Sequence, residues 1–368
     1  MNTIFLALYC VLYERITRPL IFRDSAQTSH QRMIHLLRWL DDHPWMHFSL
    51  RWAHDLAFVE HPLTVGGVRL LHPLILAAGF VKGEGFANES EALQAVSRNI
   101  IPGWRSMPLL VGAIEFGSFT RCPRLGNPGT VLWRDESTRS TQNRVGLKNP
   151  GALAAAEFLS RHRRQLPPVF GINIAVSPGV TDPEQECHEV LEALAAFLDR
   201  GIQPSWFTLN LSCPNTDDDP GSRQTEMRAR DLCSAIVGLL QPHNIPLWVK
   251  ISPNLADEQY RALLRSFAET SVHAVIATNT LAAPASDGTT AGVGGGRLHA
   301  NALDVVALLS DEKARQHYDL DLIGCGGVQD RQTYQGFAQH GVQAMMYWSA
   351  LVYRGPLAAA LIEQESRR

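Results

Sequence analysis

The chain has 368 residues, a formal net charge of -3 and 45% hydrophobic residues. That length can bury a barrel-sized core plus a smaller element, and the charge balance gives no global reason to expect nucleic acid. The cysteines at 10, 122, 187, 213, 233 and 325 form no CxxC pair, which excludes a disulfide framework or zinc ribbon and reads as free thiols in a reducing compartment.

The first stretch, MNTIFLALYCVLYERITRPLIF, carries an apolar run from Ile4 to Tyr13 followed by Glu14, Arg15 and Arg18. It lacks the basic start and small-residue cleavage site of a signal peptide, and the early Arg and Ser of a transit peptide. The next stretch, HQRMIHLLRWLDDHPWMHFSLRWAHDLAF, sets Trp, Leu, Met and Phe among Arg and His at helical spacing. That composition predicts an amphipathic helix pair at a membrane surface, with a helical cap on the main domain as the plainer alternative. No run reaches the length of a membrane span.

From His61 onward the pattern changes, so residues 1–60 read as a helical extension and 61–368 as the main domain. Short β-rich runs are predicted at 74–80, 110–119, 169–176, 206–213, 247–252, 273–280, 321–328 and 343–351, most of them separated by helical segments. Eight such units predict an α/β fold, a closed (β/α)8 TIM barrel, with an open doubly wound sheet as the alternative. No Gly-x-Gly-x-x-Gly follows the first strand, which argues against a dinucleotide-binding domain. Residues 97–109 read as a loop insertion and 284–301, rich in Gly, Ala and Thr, as a mobile loop over a site.

Barrel chemistry sits at the strand C-termini. There the sequence places Ala78, Gly79 and Lys82, then Gly117 and Ser118, Asn173, and Asn210 with Cys213 and Asn215. Lys250 follows, then Thr278, Asn279 and Thr280, then Gly324, Gly326 and Gly327, then Tyr347 and Ser349. One or two of these fit satisfied core polars, but a polar residue at nearly every exit does not. Glycines before a helix offer N–H groups to a phosphate, asparagines hold a ring with imide-like edges, and a buried Lys supplies fixed positive charge. No His/Asp/Glu cluster has metal spacing, so the site is expected to be metal-free. A planar redox cofactor with a phosphate tail, FMN, suits this inventory. Cys213 reads either as a general base or as an inert buried thiol; the other cysteines, Cys325 included, read as filler.

Nine segments, in order along residues 10 to 356, resemble the dihydroorotate dehydrogenase family. They are AAGFVKGEG, IEFGSFTRCPRLGNPG, QNRVGLKNPG, GINIAV, NLSCPNT, WVKISPN, ATNT, IGCGGV and YWSAL. The resemblance implies oxidation of dihydroorotate to orotate, with Cys213 as base and Lys250 at the flavin's anionic edge. It implies substrate contacts from Lys82, Asn143, Asn210, Asn215, Asn279 and Thr280. Cofactor contacts are implied for Ala78, Gly79, Ser118, Asn173, Lys250, Thr278, Gly295, Gly326, Gly327, Tyr347 and Trp348.

The N-terminal extension and QNRVG resemble the class 2, membrane-associated enzymes, which pass electrons to a quinone through a tunnel between the extension's helices. That implies a monomeric peripheral protein, on the cytoplasmic face of the cell membrane if bacterial. Class 2 enzymes generally carry Ser at the base position, whereas Cys213 is similar to class 1. Val81 stands where an Asp is usual, and DDDPGSRQ and AGVGGGRL depart from the usual lid segments. The competing readings are a flavin barrel for another reduced pyrimidine, since dihydropyrimidine dehydrogenases share the Asn-Leu-Ser-Cys-Pro segment, and a membrane-docked flavin-binding protein without turnover.

Overall fold

The computed structural model describes residues 2–211 and 226–367, so Cys213 and Asn215 lie outside the described residues. Four helices come first: α1 (Asn2–Leu12), α2 (Arg18–Ile21), α3 (Ala26–Asp42) and α4 (Pro44–Ala57). Ser25 caps α3 by accepting from the Thr28 N–H, and Pro44 opens α4 at a position where its missing N–H costs nothing.

Eight parallel strands then close a barrel: β1 (Leu74–Leu76), β2 (Ala113–Phe119), β3 (Phe170–Ala175), β4 (Trp206–Asn210), β5 (Leu247–Ile251), β6 (Ala274–Ala277), β7 (Asp321–Cys325) and β8 (Ala344–Tyr347). Each pairs with its neighbours in chain order, and β8 closes on β1. The fold expected from the alternating pattern is therefore the one observed. It rests on the period-2 rule, since successive side chains face opposite sides of each strand. The outward set, such as Ile114, Phe116, Ile172, Phe207 and Val249, packs against the helices. The inward set, Ile75, Ala113, Trp206, Trp248, Ile276, Ile323 and Met346, fills the barrel.

A hairpin, Leu63–Val65 with Val68–Leu70, plugs the N-terminal end of the barrel. The Trp248 indole donates to the Gly66 carbonyl at 2.9 Å and stacks on Trp206 with ring centroids 4.4 Å apart. At the opposite end the polar strand exits open into a cavity.

Two expected loops differ from the structure. Residues 284–301 hold a strand, Thr290–Gly295, and the start of a helix, Gly296–Gln316. The strand pairs antiparallel with Leu281–Pro284 and with Ser140–Asn143, which in turn pairs with Leu132–Asp135. This four-stranded sheet gives regular structure to a stretch that composition alone presented as a loop. Residues 97–109 are irregular, as expected, but Ile100, Ile101, Trp104 and Met107 are buried. The Asp41 carboxylate at the end of α3 holds this segment, accepting from the N–H groups of Gly103 and Ser106, the Ser106 hydroxyl and the Asn99 amide at 2.6 to 2.9 Å.

Candidate active site

The cavity at the strand C-termini has a volume of about 510 Å³. Every described residue expected at the site lines it: Lys82, Asn143, Asn210, Asn279 and Thr280 from the substrate set, and Ala78, Gly79, Ser118, Asn173, Lys250, Thr278, Gly295, Gly326, Gly327, Tyr347 and Trp348 from the cofactor set. Neighbouring strands bring these residues together. Asn210 stands opposite Lys250 across β4 and β5, and Gly117 opposite Asn173 across β2 and β3.

The amides form a chain around the cavity wall. Asn279 donates to the Asn210 oxygen at 3.3 Å, and Asn210 donates to the Ser118 hydroxyl at 3.4 Å. The Asn279 oxygen accepts from the Thr280 N–H at 2.9 Å, which fixes the turn after β6. Buried polar atoms of residues on the wall, among them Asn173 Oδ1 and Thr280 Oγ1, have no protein partner among the described residues. Such atoms are rare in folded proteins and here face space that a polar ligand can fill.

On the opposite wall the backbone comes close. Gly295 and Gly327 adopt φ of +87° and +74°, a region that side chains disfavour. A Cβ on Gly327 would stand 2.6 Å from the Gly295 carbonyl, so only glycine permits this approach. Gly295 immediately precedes the 21-residue helix Gly296–Gln316, and Ser349, whose hydroxyl lies 2.7 Å from that of Thr141, begins another. Backbone N–H groups at the seventh and eighth exits are where barrels hold phosphate.

Three further features involve residues to which no individual role in the site was assigned from sequence. Glu115, on β2 between Ile114 and Phe116, is fully buried inside the barrel. It accepts from the Asn173 amide and, at 3.1 Å, from the Thr208 hydroxyl. Burial raises its pKa, opposed first by the Lys250 ammonium. Its signal was present, a charge in the middle of an apolar strand, but attention to strand exits passes over it. Cys325, read as filler, is a correction: it lines the cavity beside Lys250, with its thiol pushed up by burial. It alternates with inward-facing Ile323, so its strand position aims it at the interior rather than at the helices.

Third, α3 forms one side of the cavity through Gln27, His30, Gln31, Ile34, His35 and Arg38. His30 lies against Phe80, with ring centroids 5.8 Å apart, and burial together with Lys82 and Lys148 lowers its pKa to about 4. It is therefore neutral near pH 7. The i, i+4 spacing of Gln27, Gln31 and His35 puts these residues on one helix face.

A closed parallel barrel with amides, three lysines and a glycine cradle at its C-terminal mouth defines the class of barrel enzymes. The chain belongs to the dihydroorotate dehydrogenase family, whose model matches residues 62–368. It is similar to proteins named dihydroorotate dehydrogenase (quinone) from Salinispora arenicola, 31% identical over 94% of this chain and 96% of the relative, and from Chloroflexus aurantiacus, 29% identical over 94% of each. A third, from Leifsonia xyli, is 33% identical over 80% of this chain and 82% of the relative. The crystal structure of the ligand-free Eimeria tenella enzyme superposes with a TM-score of 0.66 at 21% identity, over 88% of this chain and 93% of that one, and shares the fold.

Proposed function

We propose that this chain oxidises dihydroorotate to orotate in de novo pyrimidine biosynthesis, with FMN as resident cofactor and a quinone as electron acceptor. The observation that carries the reading is the gathering of the asparagines, Lys82 and Lys250 around one cavity with a glycine cradle on its far wall. The residues fit FMN. Asn173 Oδ1 is a buried acceptor without a partner, and Lys250 is a cation suited to an anionic ring edge. The N–H groups around Gly295, Gly326 and Gly327 suit a phosphate. When bound, FMN would supply hydride acceptance and electron transfer to the acceptor, chemistry that no side chain of this chain provides.

The protein's own groups do the rest. Lys82 pairs with the substrate carboxylate. Asn143, Asn210, Asn215, Asn279 and Thr280 hold the polar edges of the pyrimidine ring, which fixes the face presented to the cofactor. Cys213 removes the proton from C5, which is acidic because it lies alpha to a carbonyl. A thiol needs less activation for this work than a hydroxyl does.

The α3 side of the cavity suits the quinone, with Ile34 among amides and imidazoles able to bond its oxygens. A row of exposed apolar residues on the extension, including Leu8, Trp45, Phe48 and Trp52, suits docking on a membrane surface, where quinones reside. No helix of the described residues is long and apolar enough to cross a membrane. The reading is completed by a monomeric protein attached to the cytoplasmic face of the cell membrane, if bacterial.

The acceptor assignment is tested by steady-state orotate formation. A soluble quinone is expected to sustain turnover at least ten times faster than fumarate or NAD. Equal rates with fumarate contradict a quinone enzyme, and turnover of dihydrouracil in place of dihydroorotate contradicts the substrate.

A further inference from the structure

Inside the barrel, one layer below the cavity, lies a polar cluster that neither binds substrate nor completes the fold. Glu115 sits at its centre, fully buried, above the apolar layer built on Trp206 and Trp248. One carboxylate oxygen accepts from the Asn173 amide and the other from Thr208 at 3.1 Å. Lys250, nearly as buried, faces it across the interior and is the charged group that most opposes the effect of burial on this carboxyl. Cys325 is the remaining titratable side chain in the cluster and senses both charges.

Two consequences follow from this arrangement. An amide facing a carboxylate must present its NH2 group, because two oxygens repel. Glu115 therefore fixes the orientation of Asn173 and leaves Asn173 Oδ1 as the atom turned away, the one that is buried without a protein partner. A negative charge beneath the cavity also offsets the field of Lys250 there, and in a water-poor interior such an offset is strongly felt. Burial pushes the Glu115 carboxyl up, and the Lys250 ammonium and the hydrogen bonds accepted by both oxygens oppose it in favour of the ionised form.

We propose that Glu115 is a positioning residue for the reaction, which orients Asn173 and tempers the charge of Lys250, and so sets the reduction potential of the bound flavin. This rests on the FMN reading above. A carboxylate near an electron acceptor makes reduction harder, so its removal makes reduction easier. A purely structural role, filling space within the barrel, predicts a change in stability and none in potential.

The test is the midpoint potential of the bound flavin, measured anaerobically by equilibration with a reference dye in the wild-type protein and in Glu115→Gln. Glutamine keeps the size and removes the charge. The expected result is a potential more positive than wild type, together with a perturbed flavin absorption spectrum. A Glu115→Gln flavoprotein with the wild-type potential overturns the inference. Should that variant hold no flavin, Glu115→Asp decides, because it keeps the charge and withdraws it by one methylene. A smaller positive shift supports the inference, and the wild-type potential overturns it. A wild-type protein that binds no flavin overturns the FMN reading and this inference with it. A wild-type flavoprotein whose potential is indifferent to Glu115 overturns this inference alone.

Discussion

His30 shows how a single side chain ties the cavity to the acidity of the medium. Its ordinary pKa of 6.5 falls to about 4, first through burial and then through Lys82 and Lys148. The unfolded chain takes up a proton here from about pH 6.5 downward, while the folded chain resists until about pH 4. Folding is therefore penalised progressively as pH falls through that window, and the contribution is constant above it. Replacing His30 with Gln removes the titration. Between pH 7 and pH 5 the wild type is expected to lose about 1 to 2 kcal/mol more stability than His30→Gln, measured by urea unfolding at each pH. Equal losses contradict the buried, neutral imidazole. The same scale shows where sequence reading stops. Lys82, Asn210 and Lys250 were legible because a polar residue within or just beyond the end of an apolar strand has few structural reasons to be there. Glu115 and Cys325 were not, because the inward direction of a strand residue depends on a register that only the closed barrel supplies.

Among the elements, the extension makes the clearest physical claim. Its first segment, α1 and the turn Tyr13–Thr17 that follows, is tied to the barrel's last helices. The Tyr9 and Tyr13 hydroxyls donate to the Arg354 and Val352 carbonyls at 3.1 and 3.0 Å, and Arg354 bonds Glu14 and Glu365. Yet Phe48 is 78% exposed and Trp45 66%, on a helix whose other face packs inward. Large apolar side chains left in water at this density mark an interaction surface. Each fully buried side chain of this size is worth roughly 1.5 to 3 kcal/mol. The double variant Trp45→Ser/Phe48→Ser is expected to weaken binding to anionic lipid vesicles at least tenfold in a sedimentation assay, while flavin reduction by substrate is unchanged. Unchanged vesicle binding contradicts docking through this face. The helices of the extension were legible from their spacing. The four-stranded sheet over the cavity was not, since half of Thr290–Gly295 is glycine and its partner Ser140–Asn143 lies far away in sequence. Neither strand advertises itself, and pairing between distant segments is the part of a fold that local pattern reports least.

At the scale of the whole molecule, the barrel was readable because eight apolar runs alternate with helices and each strand pairs with the next in the chain. Topology of that kind needs no long-range information beyond closure. Closure then gathers the strand exits, scattered over some 270 residues of sequence from Ala78 to Trp348, into one cavity. The central claim is that this cavity oxidises dihydroorotate, with Cys213 taking the proton. The direct measurement is the flavin absorption near ~450 nm, a property of oxidised flavin, recorded anaerobically as dihydroorotate is added to the purified protein and to Cys213→Ala. The account predicts that the wild-type band bleaches and that the alanine variant, with its flavin intact, reduces at least a hundredfold more slowly. A wild-type protein that stays yellow contradicts the substrate, and a Cys213→Ala variant that bleaches at the wild-type rate contradicts the base.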